Sequence, residues 1–394
     1  MTQRFRYLFF IFLLAASWIH SEVVYLTWQG DPCTTMTIQW ITSTKKHPAV
    51  QYRACDGEEW KIAYAKTYPL PNNSPYFLHR VVLTELKSDS TYTFKQSNSE
   101  QPYKFHTLPK TLSSPLRFVV GGDVYHDGID LVKNMNTHVA QASPAFALVG
   151  GDLAYSIRGK LTFFERLFFR ESFDRWKEWL ETWSKTMVTP EGYLIPILPA
   201  VGNHEVYGGD GASKWDARFF YALFPSPGYH AVDFGNYMSI LILDSGHTHP
   251  VEGRQTKWLE HTLKARQAVP NKFVIYHVGA YPSVRAFDSG IAKLLRDKWV
   301  PKFENYSVKA VFENHDHAYK RTYPIMKNQI DPKGVLYMGD GSWGVEKPRE
   351  PQERWYLAKS AAKQHTILVT IDKEKIRYSA IDAEGNQFDG YDQK

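Results

Sequence analysis

The first part of the chain, from about residue 22 to residue 108, consists of short segments in which apolar and polar positions alternate. In one such segment, Met36, Ile38 and Trp40 alternate with the polar residues Thr37 and Gln39. This period of two predicts a strand with one face inward and one face outward. We therefore expect a small all-β sandwich over residues 22–108.

The pattern changes after residues 109–115, a predicted linker that begins and ends with proline. Apolar strand-like runs now alternate with helical stretches, as in α/β proteins. One amphipathic helix is predicted by apolar residues at steps of three and four positions, namely Phe173, Trp176, Leu180, Trp183 and Met187. Residues 366–371 and 376–381 predict two further strands joined by a polar turn. We expect one α/β domain over residues 116–394.

The amino-terminal residues have the layout of a secretory signal peptide. Arg4 and Arg6 precede an apolar run from Tyr7 to Ala16, and the small residues Ala15, Ala16, Ser17 and Ser21 lie at its end and just beyond it. Because a membrane-spanning helix needs about 20 apolar residues, this run is too short to span a bilayer. We predict that residues 1–21 are a signal peptide and that the protein is exported, to be secreted, periplasmic or bound at the cell surface. An N-terminal membrane anchor or a buried strand is the alternative. No later segment is predicted to be transmembrane.

The composition is that of a globular protein. Of the 394 residues, 43% are hydrophobic, 22% are charged and 15% are aromatic, which argues against a disordered, collagenous or coiled-coil chain. The formal net charge is +6, and removal of Arg4 and Arg6 leaves about +4 by the same count. The basic residues form no block, so the sequence gives no indication of a nucleic-acid scaffold. A small anionic substrate is compatible with this charge, and the oligomeric state is left open.

The two cysteines, Cys33 and Cys55, flank two strand-like runs. An exported protein can carry disulfides, and a hairpin-like path would bring the two thiols to the same end of the domain. The sequence leaves two alternatives open, one disulfide or two buried thiols.

Side chains of the types that bind metals follow five strand-like runs in the second domain. The clusters are Gly122-Asp123, Gly151-Asp152-Leu153-Ala154-Tyr155, Gly202-Asn203-His204-Glu205, His277, and His315-Asp316-His317. Ligand sites in α/β sheets form at the carboxyl ends of strands, so we expect the five clusters to converge on one crevice.

The ordered set of motifs resembles the calcineurin-like metallophosphoesterases, and most closely the purple acid phosphatases. Their pattern is an Asp motif, G-D-x-x-Y, G-N-H-D/E, a single His after a strand, and G-H-x-H. A fibronectin-like domain ahead of the catalytic domain is also a family feature, and Leu86 followed six positions later by Tyr92 resembles the tyrosine corner of fibronectin type III domains. The resemblance implies a catalytic domain of two central mixed sheets flanked by helices.

The resemblance also implies two metal ions bridged by Asp152. The expected ligands of the ferric ion, Fe(3+), are Asp123, Tyr155 and His317, and those of a divalent ion (zinc, iron or manganese) are Asn203, His277 and His315. A phenolate such as that of Tyr155 is a hard donor suited to ferric iron. Two metals with a bridging carboxylate can clamp the attacking and leaving oxygens of a phosphoryl displacement.

His204 resembles the family residue that contacts the substrate phosphate, so we expect it to orient the phosphoryl group and to stabilise charge in the transition state. The expected nucleophile is a metal-bound hydroxide, because coordination lowers the pKa of water. No side-chain nucleophile is required.

Three departures from the family pattern limit this transfer. Tyr125 and His126 replace the glycine-containing segment that follows the Asp motif in many relatives. Plant-type members carry further histidines after the single His, whereas this chain has Arg285 in that stretch. Arg285 is a candidate phosphate ligand but cannot act as a general acid, which leaves protonation of the leaving group unassigned. Asn314 stands where the family usually has glycine.

A second G-H-x-H segment occurs at residues 246–249 and also follows an apolar run. We prefer His315 and His317 as ligands because the last His pair of the family comes after the single His, here His277.

The sequence thus predicts an acid phosphatase that hydrolyses small phosphate monoesters. One alternative is a hydrolase of diesters or nucleotides with the same two metals. Another is a surface-binding protein whose metal site has lost catalysis; the complete set of ligand types argues against it.

Overall fold

The computed structural model describes residues 23–45, 48–97, 99–157, 171–207, 211 and 213–394. The predicted signal peptide, residues 1–21, therefore lies outside the described residues. In the amino-terminal region the strands are β1 (Val23–Thr27), β2 (Met36–Thr42), β3 (Ala49–Ala54), β4 (Lys61–Tyr64), β5 (Lys66–Pro69), β6 (Phe77–Leu83), β7 (Thr91–Gln96) and β8 (Tyr103–His106).

The following region alternates strands and helices. Its strands are β9 (Leu116–Gly121), β10 (Ala147–Val149), β11 (Ile197–Pro199), β12 (His230–Phe234), β13 (Met238–Ile242), β14 (Asn271–Val278), β15 (Ala310–Asn314), β16 (Tyr319–Thr322), β17 (Ile325–Met326), β18 (Gln329–Ile330), β19 (Leu336–Gly339), β20 (Leu357–Ala361), β21 (His365–Ile371), β22 (Ile376–Asp382) and β23 (Gln387–Gln393). Its α-helices are α1 (Ile129–Gln141), α2 (Asp174–Thr186), α3 (Arg218–Leu223), α4 (Thr256–Ala265), α5 (Gly290–Lys298) and α6 (Val300–Asn305). Within the described part of the chain, no helix combines the length and apolar character that crossing a membrane requires.

The first eight strands form the predicted sandwich of two four-stranded sheets, in the orders β1-β2-β6-β5 and β4-β3-β7-β8. The tyrosine corner is present, because the main-chain N–H of Lys87 donates a hydrogen bond of 2.9 Å to the hydroxyl of Tyr92. Leu86, beside it, is buried in the core of the sandwich. The expectation of a fibronectin-like all-β domain is confirmed.

The prediction of one outward face on β2 was wrong, since both of its faces are buried. The polar face packs on the second domain, where the side-chain amide of Gln39 donates to the carbonyl of Leu223 at 3.0 Å. The hydroxyl of Tyr25 on β1 donates to the same carbonyl at 3.0 Å. Ser184 on α2 bonds both main-chain groups of Val24. An alternating pattern shows that one face of a strand is polar, but not whether that face contacts water or another polar protein surface. The sequence therefore did not predict this contact.

The second domain has two mixed sheets, as the resemblance implied. One has six strands in the order β11-β10-β9-β21-β22-β23, and the other has seven in the order β12-β13-β14-β15-β19-β16-β20. The two sheets pack face to face, with the ring of Phe118 on β9 lying 5.6 Å from that of Phe273 on β14 and 6.4 Å from that of Phe312 on β15. Helix α2 carries the predicted aromatic stripe into the core beside the six-stranded sheet.

The cysteines match neither alternative that the sequence left open. Both are free; Cys33 is buried and Cys55 is exposed. The hairpin-like path was wrong because β2 and β3 belong to opposite sheets of the sandwich. The thiol of Cys33 lies 3.3 Å from the carbonyl oxygen of Pro109, and that of Cys55 lies 3.2 Å from the hydroxyl of Thr93.

We predict that the Tyr92→Phe substitution lowers the free energy of unfolding by about 1 kcal/mol, because it removes a hydrogen bond to a main-chain N–H while preserving the ring packing. Urea denaturation measures the change. Tyr323→Phe, at an exposed position, is the matched control and should leave the stability unchanged. Equal stability of Tyr92→Phe and the parent protein would contradict the role given to the tyrosine corner.

Candidate dimetal site

The predicted ligands come from the carboxyl ends of strands in both sheets. Asp123, Asp152 and Asn203 follow β9, β10 and β11 of the six-stranded sheet, whereas His277 lies near the end of β14 and His315 follows β15 in the seven-stranded sheet. The site therefore lies at the junction of the two sheets. The five motif clusters converge in one place, but from two sheets.

The main chain at the site adopts a conformation that most residues avoid. Asp123, Asp152, Tyr155, His315 and His317 all have positive φ, between 48° and 77°. Non-glycine residues in this region cost on the order of 1 kcal/mol or more each and cluster at functional sites. The surrounding packing must therefore hold these turns in place.

Asn314, the departure from the glycine of the family, fills the space beside two glycines. A Cβ atom at Gly150 would lie 1.7 Å from its amide nitrogen, and one at Gly122 would lie 2.4 Å from its amide oxygen. The amide also donates to the carbonyl of Tyr276 on the neighbouring strand at 3.0 Å. The asparagine thus connects the ends of β14 and β15 next to the ligand turns.

Asp123, Tyr155 and His317 form one group of ligand side chains. The carboxylate Oδ1 of Asp123 lies 2.8 Å from the hydroxyl of Tyr155 and 2.9 Å from Nε2 of His317. The same Nε2 atom lies 3.1 Å from the Tyr155 hydroxyl. Three side chains of the predicted ferric site thus point polar atoms at one another.

Asp152, Asn203, His277 and His315 form a second group. Nε2 of His277 lies 3.0 Å from the amide oxygen of Asn203, 3.0 Å from Nδ1 of His315 and 3.3 Å from Oδ2 of Asp152. The two groups touch, because the second oxygen of Asp123 accepts a hydrogen bond of 2.9 Å from the main-chain N–H of His315.

The donor atoms of the second group fit a cation. Nδ1 of His277 donates to the carbonyl of Gly150 at 2.9 Å, which leaves Nε2 with a lone pair when the ring is neutral. This lone pair faces oxygen lone pairs of Asn203 and Asp152. Burial lowers the pKa of His277, but the carboxylates of Asp152 and Asp123 raise it more, to about 9. The surroundings therefore favour a positive charge at this position, and the donor set suits a metal ion.

His204 lies beside both groups but is not one of the predicted metal ligands. Its Nδ1 donates to the carbonyl of Ile157 at 2.6 Å, and its Nε2 lies 3.9 Å from Oδ2 of Asp152. The ring stands 4.3 Å from that of Tyr155, measured between ring centroids. The hydrogen bond to Ile157 fixes the ring orientation and directs Nε2 away from that carbonyl.

Arg285 is bound to the turn that carries the last pair of histidines. Its Nη1 donates to the carbonyl of His315 at 2.6 Å and to the carboxylate of Asp316 at 2.9 Å. The side chain is 36% exposed. Because Asp316 balances its charge, Arg285 presents a weaker positive field than an unpaired arginine would.

Glu205 and Arg175 position the ligand turns, a role that the sequence did not predict. The carboxylate of Glu205 accepts hydrogen bonds from the main-chain N–H groups of Asp152, Leu153 and Gly202, at 2.7, 2.7 and 2.9 Å. Its place in the G-N-H-E motif was a signal for this role. Arg175 on α2 had no such signal.

Arg175 joins the two turns that carry Asp123 and Tyr155. It donates from Nε to the carbonyl of Ala154 at 2.7 Å and from Nη2 to the carbonyl of Tyr125. Its guanidinium also stacks 3.7 Å over the ring of Tyr125, which explains how the site accommodates this bulky departure. His126 packs its ring 5.0 Å from Tyr155 and 4.6 Å from His317, between centroids.

The second G-H-x-H segment wraps around a buried carboxylate. Asp244 accepts hydrogen bonds from the main-chain N–H groups of residues 246–249. The ring of His247 packs 5.4 Å from that of His277, between centroids. His315 and His317 contact the other predicted ligands directly, so they remain the preferred pair.

Two known protein families match this chain. The profile described as Calcineurin-like phosphoesterase matches residues 116–319, and the one described as Purple acid Phosphatase, N-terminal domain matches residues 21–107. The chain therefore belongs to the calcineurin-like phosphoesterases. Within them, it is a member of the purple acid phosphatase family. Membership makes it a metal-dependent phosphoesterase and implies a dimetal site.

Relatives match over most of the chain at low identity. Purple acid phosphatase 22 of Arabidopsis thaliana is 23% identical over 319 residues, which cover 77% of this chain and 68% of the relative. Acid phosphatase type 7 of Mus musculus is 23% identical over 374 residues, which cover 84% and 79%. The structure of purple acid phosphatase PPD1 from yellow lupin has the same fold, with a TM-score of 0.75 and 17% identity over 94% of this chain and 73% of that chain.

Glu171 links the Tyr155 turn to α2 and is 2% exposed. Its Oε1 accepts hydrogen bonds from the indole of Trp176, at 2.7 Å, and from the hydroxyl of Ser156. Burial outweighs these hydrogen bonds and raises the pKa of Glu171 from 4.5 to about 7.

We predict that ionisation of Glu171 destabilises the fold as the pH rises. Because the pKa of Glu171 is higher in the folded state than in the unfolded state, its protonated carboxyl stabilises the fold by up to about 3 kcal/mol relative to the ionised form. This stabilisation is complete below about pH 4.5 and is lost as the pH rises through about 7. Glu171→Gln should flatten the pH dependence of the free energy of unfolding in this range, as measured by urea denaturation at each pH. The exposed Glu353→Gln is the control. An unchanged pH profile in Glu171→Gln would contradict the prediction.

Proposed function

We propose that this protein is an acid phosphatase that hydrolyses small phosphate monoesters at a site for Fe(3+) and one divalent ion, zinc, iron or manganese. The observation that carries the proposal is the gathering of all seven expected ligand side chains into two groups that touch through Asp123. Family membership supports the same chemistry. The tyrosine at position 155 favours ferric iron, because a phenolate is a hard anionic donor.

The two groups divide the ligands between the metals. Ferric iron would be held by Asp123, Tyr155 and His317, the divalent ion by Asn203, His277 and His315, and both by Asp152. When bound, the two ions would supply Lewis acidity and an activated water at this place.

One carboxylate oxygen of Asp152 supports the proposal that this residue binds both metals. Its Oδ1 accepts a hydrogen bond of 2.8 Å from the main-chain N–H of His204, whereas its buried Oδ2 has no hydrogen bond of good geometry among the described residues. Burial alone would raise the pKa of Asp152, but the imidazoles of His277 and His204 hold this pKa well below its usual range. The carboxylate is thus anionic and keeps one oxygen available for ligation.

His204 is the proposed catalytic residue. With Nδ1 fixed on the carbonyl of Ile157, the ring presents Nε2 next to Asp152, where a phosphoryl oxygen can contact it. A fixed partner at the phosphoryl group stabilises charge that develops in the transition state. Arg285 is the proposed second substrate contact. Since its Nη1 is already bonded to His315 and Asp316, we expect Arg285 to contribute to binding more than to turnover.

We also infer that the protein is exported. The inference rests on the signal-like composition of residues 1–21, and substrates would then be small phosphorylated molecules outside the cytoplasm.

Metal analysis and a visible spectrum test the metal assignment. We expect two metals per chain, one of them iron, and a purple absorption band from phenolate-to-iron charge transfer. Tyr155→Phe should abolish the band. Tyr221→Phe, a partly buried tyrosine that bonds Thr248 instead, is the control and should keep it. A single metal ion per fully loaded chain would contradict the proposal.

Steady-state kinetics test the substrate class and the two substrate contacts. We expect turnover of an aryl monoester to exceed that of the matched diester. His204→Ala should lower kcat for the monoester by about 10²-fold or more, whereas Arg285→Ala should raise KM several-fold with a smaller change in kcat. His261→Ala, an exposed histidine on α4, is the control.

A strong diester preference would favour the alternative phosphodiesterase or nucleotide hydrolase. Absence of hydrolysis by metal-loaded protein across substrates and pH would favour a binding protein without catalysis.

A further inference from the structure

A cluster of three charged residues lies buried close to the dimetal site. Lys320 on β16, Glu313 on β15 and Asp340 after β19 are completely buried. The ammonium of Lys320 lies 2.6 Å from Oε2 of Glu313 and 2.7 Å from Oδ1 of Asp340. Removing charged groups from water costs free energy. None of the three is a predicted metal ligand or substrate contact, so the proposed function leaves this cluster without a role.

Lys320 is charged in this position, and its ammonium is fixed. Burial alone would lower the pKa of Lys320, but the carboxylates of Asp340 and Glu313 raise it well above its usual value. The ammonium also donates to the carbonyl of Tyr281 at 2.6 Å. A lysine ammonium has three N–H donors, and here two carboxylates and one carbonyl surround it.

Glu313 connects the lysine to both sides of His277. Its Oε1 accepts hydrogen bonds of 2.6 Å from the hydroxyl of Tyr276 and 2.6 Å from the main-chain N–H of Ala280. Tyr276 immediately precedes His277 on β14, and Ala280 follows it by three positions. Glu313 itself stands two positions before His315. The carboxylate therefore holds the strand end that carries one ligand against the strand that leads to the other.

Asp340 binds the same segment further along the chain. Its Oδ2 accepts hydrogen bonds from the main-chain N–H of Ser283, at 3.0 Å, and from the hydroxyl of that residue. The main-chain N–H of Asp340 donates to the carbonyl of Glu313 at 2.7 Å, and its carbonyl accepts the N–H of His317 at 2.7 Å. Residues 280–283, which follow His277, are thus held by both carboxylates, and Lys320 links the two.

We propose that Lys320 is a positioning residue for the divalent-metal half of the site, an inference that rests on the proposed dimetal function. By binding Glu313 and Asp340 at once, the ammonium keeps residues 280–283 fixed against the ends of β15 and β19. The spacing between His277 and His315 follows from this contact. Lys320 thereby acts on the divalent ion through the ligands, without touching it.

The ferric half depends less on this cluster. Asp123 and Tyr155 lie in turns of the six-stranded sheet, where Arg175 bonds the main chain next to both. The remaining ferric ligand, His317, meets the cluster through the main chain of Asp340. Loss of the lysine should therefore disturb the histidines of the divalent ion more than the phenolate side. Groups that position metal ligands typically change metal affinity by about 10-fold to 100-fold.

Zinc titration of the iron-loaded protein against a competing chelator tests the proposal. Lys320→Met keeps the chain length and removes the charge, so Glu313 and Asp340 lose their common partner. We expect the dissociation constant of zinc to rise by about tenfold or more, while the purple band persists. Lys272→Met is the matched control, because Lys272 is also buried but lies at the opposite end of β14, bonded to the carbonyl of Val269. Its zinc affinity should stay within about twofold of the parent value.

A milder pair of variants covers the case in which Lys320→Met does not fold. Tyr276→Phe removes one donor to Glu313 and should raise the dissociation constant of zinc by about twofold to fivefold. Tyr337→Phe is its control. Tyr337 is equally buried, but its hydroxyl has no hydrogen-bond partner in the part of the chain that the structure describes. Circular dichroism checks that each variant keeps its fold.

The outcomes separate a positioning role from a structural one. A folded Lys320→Met protein with lower stability but unchanged zinc affinity would overturn the proposal, as would an unchanged affinity of Tyr276→Phe where Lys320→Met fails to fold. Loss of the purple band together with zinc binding would overturn the assignment to the divalent half. A parent protein that binds iron but no second metal would instead contradict the proposed dimetal function, and this inference with it.

Discussion

Asp123 connects the two halves of the ligand set, and the rest of the site depends on that carboxylate. One of its oxygens lies within hydrogen-bonding distance of Tyr155 and His317, and the other accepts the main-chain N–H of His315. The turn after β9 is thereby tied to the turn after β15 in the other sheet. Without the carboxylate, the two sheets would still pack through their aromatic core, but the ligand turns would lose their common point of attachment.

In the protein without bound metal, this arrangement of ligand side chains costs folding free energy. Buried carboxylates and imidazoles lie close together, and several of their residues adopt positive φ. A bound metal ion would offset both costs, because it would satisfy the converging lone pairs and bind only the folded arrangement. Metal binding would therefore be coupled to the stability of this part of the fold. Glu205 and Arg175 contribute by fixing the turns through their main-chain groups, so that little rearrangement is needed on binding.

The order of motifs along the sequence was enough to predict the class of fold and the set of residues that converge. The strand-end positions of Asp123 and His315 follow from the general rule for α/β sheets, and the tyrosine corner at Tyr92 follows from spacing. The strained turns were not predictable, since positive φ at an aspartate or histidine is imposed by tertiary packing. Arg175 was not predictable either, because its partners are main-chain carbonyls that leave no pattern in the sequence.

The buried polar face of β2 has a consequence for how the molecule can be divided. Residues 109–115 are the predicted linker, but the core runs across this segment, and the ring centroids of Trp28 and Phe146 from its two sides are 5.9 Å apart. A fragment cut at the linker would expose Gln39, Tyr25 and the carbonyl of Leu223 without their partners. The amino-terminal sandwich is thus part of the scaffold that supports α2, and through Arg175 of α2 it reaches the ligand turns. Swapping this sandwich for that of a relative would require the surface of α2 to be exchanged with it.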